Sequence, residues 1–168
     1  SRFALVIGND DYQDANLARL KTPTHDVRDL AEVLRSPEIG GFDQVVTLVN
    51  EPESAATRAI ERFFKTQRSA DDLLVMYFSG HGMLDEQGQL YLTAADTERS
   101  LLSGTAIPAA FVSGEMDRSR SRRQVLVLDC CHSGAFEKGS KGGLGASVGT
   151  KTVFGGSGYG RIVLTATD

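Results

Sequence analysis

The chain has 168 residues, is 40% hydrophobic and 24% charged, and carries a formal charge of -4. That length fits one domain with a sizeable core, and the acidic balance argues against nucleic acid or an anionic membrane surface as the main partner. No apolar stretch approaches the roughly 18 residues a membrane span needs, and no signal-peptide pattern opens the sequence. The 2 cysteines, Cys130 and Cys131, are adjacent and have no third partner. A disulfide framework is therefore excluded, and a reducing, cytoplasmic compartment is expected. With 3 histidines and no C-x-x-C spacing, no structural metal is expected.

In chain order, the first apolar run is Phe3–Ile7, followed by Val27, Leu30, Ala31 and Leu34 at helical spacing, with Ser36-Pro37 as the stop. Val45–Val49 is the second run. The sequence Asn50-Glu51-Pro52-Glu53 then reads as a capping box opening a helix that buries Ala56, Ile60, Phe63 and Phe64. Leu73–Phe78 is the third run, a less regular helix is expected over Pro108 to Met116, and Val125–Leu128 and Ile162–Leu164 follow. The runs are nearly continuous rather than alternating, as in parallel strands covered on both faces. Strands alternating with helices predict an α/β fold: a three-layer α/β/α sandwich around a mainly parallel sheet, in a single domain over 1–168.

Residues 139–160 break this rhythm with nine of the chain's 18 glycines. Such a density cannot offset the ordering entropy of the backbone, so a mobile loop is expected. It starts a few residues after Cys131, where loops often serve function.

Chemistry in an open parallel sheet gathers at the carboxyl ends of strands. The third run exits through "SGHG", with His81 between Gly80 and Gly82, and the fourth through "DCCHSG". If the two strands are neighbours, a thiol and an imidazole meet across one strand spacing, ~5 Å, the arrangement a thiolate nucleophile needs. A backbone N–H at Gly82, where no Cβ intrudes, could pair with that of Cys131 as an oxyanion hole. Residue types alone leave open which thiol faces His81.

"YFSGHG" followed by "DCCHSG" resembles the caspase-like cysteine peptidases, in particular the metacaspase and bacterial orthocaspase branch, whose motifs read Y-S-G-H-G and D-S/C-C-H-S-G. "ALVIGNDDY" leading to "HDVRDLAEVL" is similar to the start of that domain. The resemblance implies the caspase-like fold, Cys131 as nucleophile and His81 as its acid–base partner. His132 is the third candidate, and the glycine-flanked setting of His81 favours His81 over it, leaving His132 to satisfy backbone groups in the turn. It also implies an S1 pocket floored by Asp129 and by Asp26, although His25 stands where the family usually has Asn. Two carboxylates call for a cationic partner, so cleavage after Arg or Lys is expected rather than after Asp.

The same resemblance implies a zymogen cut between a large-subunit region (about 1–138) and a small-subunit region beginning at 161–168, whose remainder would lie in a missing segment or separate chain. Lys138, Lys141, Lys151 and Arg161 are the candidate processing sites. A protein or peptide substrate and a regulatory protein are the expected partners, and a defence or cell-death cascade the expected setting. No cofactor is expected. Asp85-Glu86 is the only short acidic pair after His81, which argues against calcium activation. The basic run at 117–124 reads as a helix C-terminus rather than a recognition patch. The alternatives are a catalytically silent caspase-like scaffold and a flavodoxin-like or nucleotide-binding domain. The second lacks both G-x-G-x-x-G and a P-loop lysine.

Overall fold

The structure is a computed structural model that describes residues 1–131 and 160–166, with Cys131 described in its backbone only. The glycine-rich 139–160 segment lies outside the described residues apart from Gly160, as do His132 and the three candidate lysines.

The elements are β1 (Arg2–Gly8), α1 (Pro23–Arg35), β2 (Gln44–Val49), α2 (Glu53–Lys65), β3 (Leu73–Leu84), β4 (Leu90–Leu92), α3 (Leu102–Thr105), β5 (Ile107–Pro108), α4 (Ala109–Arg118), β6 (Arg123–Cys131) and β7 (Arg161–Thr165). Five strands run parallel in the order β2-β1-β3-β6-β7, while β4 and β5 add antiparallel strands beyond the end of β1. The predicted mainly parallel α/β sheet is present, and each expected apolar run forms a strand.

Alternating side chains divide the sheet into two faces. Leu5, Ile7, Leu74, Met76, Phe78, Leu126 and Leu128 meet α2 and α4 through Ile60, Phe63, Phe64, Val112 and Met116. Ala4, Val6, Val75 and Tyr77 meet α1 through Val27, Leu30 and Leu34. Helices on both faces make the expected three layers. Coverage is incomplete over β7, where Ile162 and Leu164 are each 54% exposed.

Two local expectations are corrected. The capping box does not form: α2 starts at Glu53 with Pro52 as its cap residue and no side-chain cap bond. The Asn50 carbonyl oxygen instead accepts from the N–H groups of Asp10 and Asp11, and its amide donates to Asp10 Oδ1. Asp10 in turn accepts from the N–H and hydroxyl of Thr24. A carboxylate from the β1–α1 loop thus caps α1.

Second, β3 does not end at Phe78 and β6 does not end at Leu128. Both continue through their motifs to Leu84 and Cys131, so His81 and Asp129 sit on strands and not in exit turns. Glycine's poor strand propensity hides this continuation in the sequence. Its compensation is space: a Cβ at Gly80 would lie 2.9 Å from the Tyr12 hydroxyl, and one at Gly82 would lie 2.9 Å from Cys130 Cβ.

Candidate active site

β3 and β6 are parallel neighbours with Tyr77 opposite Val127, Ser79 opposite Asp129, Gly80 opposite Cys130 and His81 opposite Cys131. Strand alternation separates the two cysteines. Cys130 packs on the face covered by α2 and α4, and its Sγ lies 3.0 Å from where a Gly82 Cβ would stand. Position 131 therefore belongs to the opposite face, with Tyr77, His81 and Asp129. The ambiguity between adjacent thiols is one of strand parity, and the register places Cys131 at the position beside His81.

His81 is fully buried. Its Nε2 lies 2.7 Å from the carbonyl oxygen of Ala18. A carbonyl can only accept, so Nε2 carries the hydrogen and Nδ1 holds the lone pair of the neutral ring. The His81 peptide is held on the side away from β6. Its N–H donates to the Tyr12 hydroxyl at 3.0 Å, and its carbonyl accepts from the Thr93 N–H at 3.1 Å and the Thr93 hydroxyl at 2.8 Å. The next residue presents its peptide groups to the other edge, so Gly82 faces the seam that ends at Cys131.

Four residues earlier on the same face of β3, the Tyr77 hydroxyl donates to Asp129 Oδ2 at 3.1 Å. Burial foremost, then the Asp129 carboxylate and more weakly Asp26, push the Tyr77 phenol well above its ordinary range. Tyr77 therefore stays a neutral donor to Asp129. Asp26 comes from the first turn of α1. Asp26 and Asp129 are both half-buried.

Arg161 lies apart from this group. It is the first residue of β7, its side chain is 9% exposed, and Nη2 sits 2.7 Å from Asp117 Oδ1. Among the described residues no cluster of His, Cys, Asp and Glu could hold a metal ion, and no helix is long and apolar enough to cross a membrane. The sequence reading missed Tyr12, Tyr77 and Thr93. The signal for Tyr77 was present: it shares the odd-numbered face of its strand with Ser79 and His81. Tyr12 and Thr93 come from segments that carry no motif of their own.

The Caspase domain family model matches residues 1–154. Among solved structures, the chain is similar to protein GSU0716 from Geobacter sulfurreducens, at 19% identity and a TM-score of 0.61, over 80% of this chain and 52% of that one. It is similar also to pro-sf-caspase-1, at 16% identity and a TM-score of 0.62, over 85% of this chain and 54% of that one. The chain thus spans about half the length of each of these proteins. No curated protein matches it. At such identities the structural likeness speaks for the fold, and the family match covers most of the sequence. The chain belongs to the caspase domain family of cysteine peptidases.

Proposed function

We propose that the protein is a cysteine endopeptidase that cleaves after Arg or Lys, with Cys131 as nucleophile and His81 as its acid–base partner. The observation that carries this reading is the direct pairing of His81 with Cys131 at the end of the β3–β6 ladder, on the strand where Asp129 accepts from the Tyr77 hydroxyl. The Cys131 thiol gives its proton to His81 Nδ1, and the thiolate attacks the scissile carbonyl carbon. The oxyanion is received by the N–H groups of Gly82 and Cys131, for which substrate must displace the last rung of the ladder. The His81 imidazolium protonates the leaving amine as the C–N bond breaks, leaving a thioester. Water, deprotonated by His81, then releases the acid product and restores the thiol.

Asp26 and Asp129 supply charge-assisted hydrogen bonds to a cationic P1 side chain, and Tyr77 fixes the orientation of Asp129. The two motifs support a place in the metacaspase and orthocaspase branch. They support equally a precursor cut within residues 139–160, a small-subunit segment as partner, and a role in regulatory or defensive proteolysis. Of the four candidate processing residues, Arg161 is the least suited, because β7 and Asp117 hold it. The lysines 138, 141 and 151 are the better candidates.

A fluorogenic peptide panel with Arg, Lys or Asp at P1 tests the reading. Cleavage of the Arg and Lys peptides by the wild type, and of none by Cys131→Ala, is the expected result. Turnover of the Asp peptide would overturn the pocket assignment.

A further inference from the structure

β1 leaves the sheet two residues before the histidine. Its last rung pairs Gly8 with Ser79, while the antiparallel ladder on the same side of β3 begins only at Gly82, opposite Leu92. His81 lies in the gap, where its N–H has no strand to bond. The Tyr12 hydroxyl fills that gap: it accepts the His81 N–H at 3.0 Å, donates to the Asn9 carbonyl at 3.1 Å, and lies 2.8 Å from the Thr93 hydroxyl. The phenol ring also packs on the imidazole, with centroids 5.0 Å apart and planes inclined by 39°. Gly80 is the residue that admits it, since a Cβ there would come within 2.9 Å of the Tyr12 oxygen.

The same β1–α1 loop supplies the Ala18 carbonyl that holds Nε2. The loop is itself fastened by Gln13 N–H to the Ala95 carbonyl, Leu20 N–H to the Asp10 carbonyl, and the buried Leu17. One short segment thereby grips the His81 backbone, one side of its ring and its distal nitrogen.

We propose that Tyr12 is a positioning residue for catalysis: its hydroxyl replaces a missing strand partner at His81, and its ring sets the imidazole's angle toward Cys131. This rests on the reading of His81 and Cys131 as the reacting pair. Burial, the first of several influences on the phenol, raises it to about 12, so it remains protonated and neutral at any working pH. Because reactivity falls steeply when a catalytic group moves by an ångström, loosening this clamp lowers turnover while leaving the specificity pocket intact.

The test compares Tyr12→Phe and Tyr12→Leu with wild type, all carrying Cys130→Ser so that alkylation reports on Cys131. Tyr12→Phe is expected to lower kcat and the iodoacetamide rate of Cys131 about tenfold, and Tyr12→Leu about a hundredfold. KM for the P1-Arg peptide should stay within about twofold. A folded Tyr12→Phe protein with wild-type kcat and alkylation rate, or a loss carried by KM alone, overturns the proposal. If Tyr12→Phe does not fold, Thr93→Val must show the same kcat loss in smaller measure, and wild-type kcat in that variant overturns it too. A wild-type Cys131 that alkylates no faster than a peptide thiol removes the dyad and this role together. A fast wild type matched by a fast Tyr12→Phe removes only the role of Tyr12.

Discussion

His81 and Cys131 are direct partners in the parallel ladder of β3 and β6, one rung beyond Gly80 and Cys130. Adjacent rungs face opposite sides of a sheet, so positions 130 and 131 belong to opposite faces. One packs against the helices α2 and α4, and the other occupies the rung of the buried imidazole.

Removing the imidazole should therefore remove the chemistry and spare the pocket. His81→Ala is expected to lower kcat for a P1-Arg peptide by about 10³-fold, within the range for general acid–base groups. KM should change little, as initial-rate kinetics would show.

The acids should act the other way. Asp129→Asn is expected to lower kcat/KM for P1-Arg peptides about 100-fold, close to the 2–3 kcal/mol of a charge-assisted contact. Asp26→Asn should act in the same direction, and neither variant should gain activity on P1-Asp peptides. An unchanged kcat/KM in both would place the cationic side chain elsewhere.

The glycines flanking His81 differ from a glycine with open space around it. Alanine at position 82 would put its Cβ 2.9 Å from Cys130 Cβ, whereas at Gly104 nothing beyond the chain neighbours and the helix's own backbone lies within 4 Å. Gly82→Ala is expected to cost about 1–3 kcal/mol and to lower Tm by about 3–10 °C. Gly104→Ala should leave Tm unchanged or raise it slightly. Thermal melting of the two variants side by side checks this.

Acid should loosen the β1–α1 loop. Burial by itself would raise the Asp10 carboxyl, but the hydrogen bonds from Thr24 and Asn50 outweigh it and hold the group below its ordinary value. A depressed folded value means that the stabilisation is complete above the unfolded pKa of about 3.9. It fades as pH falls through that value toward the folded one. Melting temperatures across this acid range should fall for the wild type and fall less steeply for Asp10→Asn.

The sheet was legible because its central strands are buried on both faces and so read as unbroken apolar runs. Those runs marked where β3 and β6 begin and not where they end. Ser79–Gly82 and Asp129–Cys131 look like turn and loop residues, yet they continue the ladder because Tyr12 and Cys130 occupy the space that a side chain at Gly80 or Gly82 would take. β4 and β5, with 3 and 2 residues, are too short to leave a periodic signal. The pairing of His81 with Cys131 could be anticipated from two motifs at like ends of strands. Tyr12 could not, because its function depends on where β1 leaves the sheet, and that is a property of register.

Covalent labelling tests the whole account at once. A peptidyl acyloxymethyl ketone with Arg at P1 requires a nucleophilic thiol, a histidine that supports it and an acidic pocket. Intact-mass and fragment-ion analysis should find one adduct, on Cys131, formed much more slowly in His81→Ala and in Asp129→Asn. An adduct on Cys130, or equal labelling rates in all three proteins, would contradict the assignment of the site.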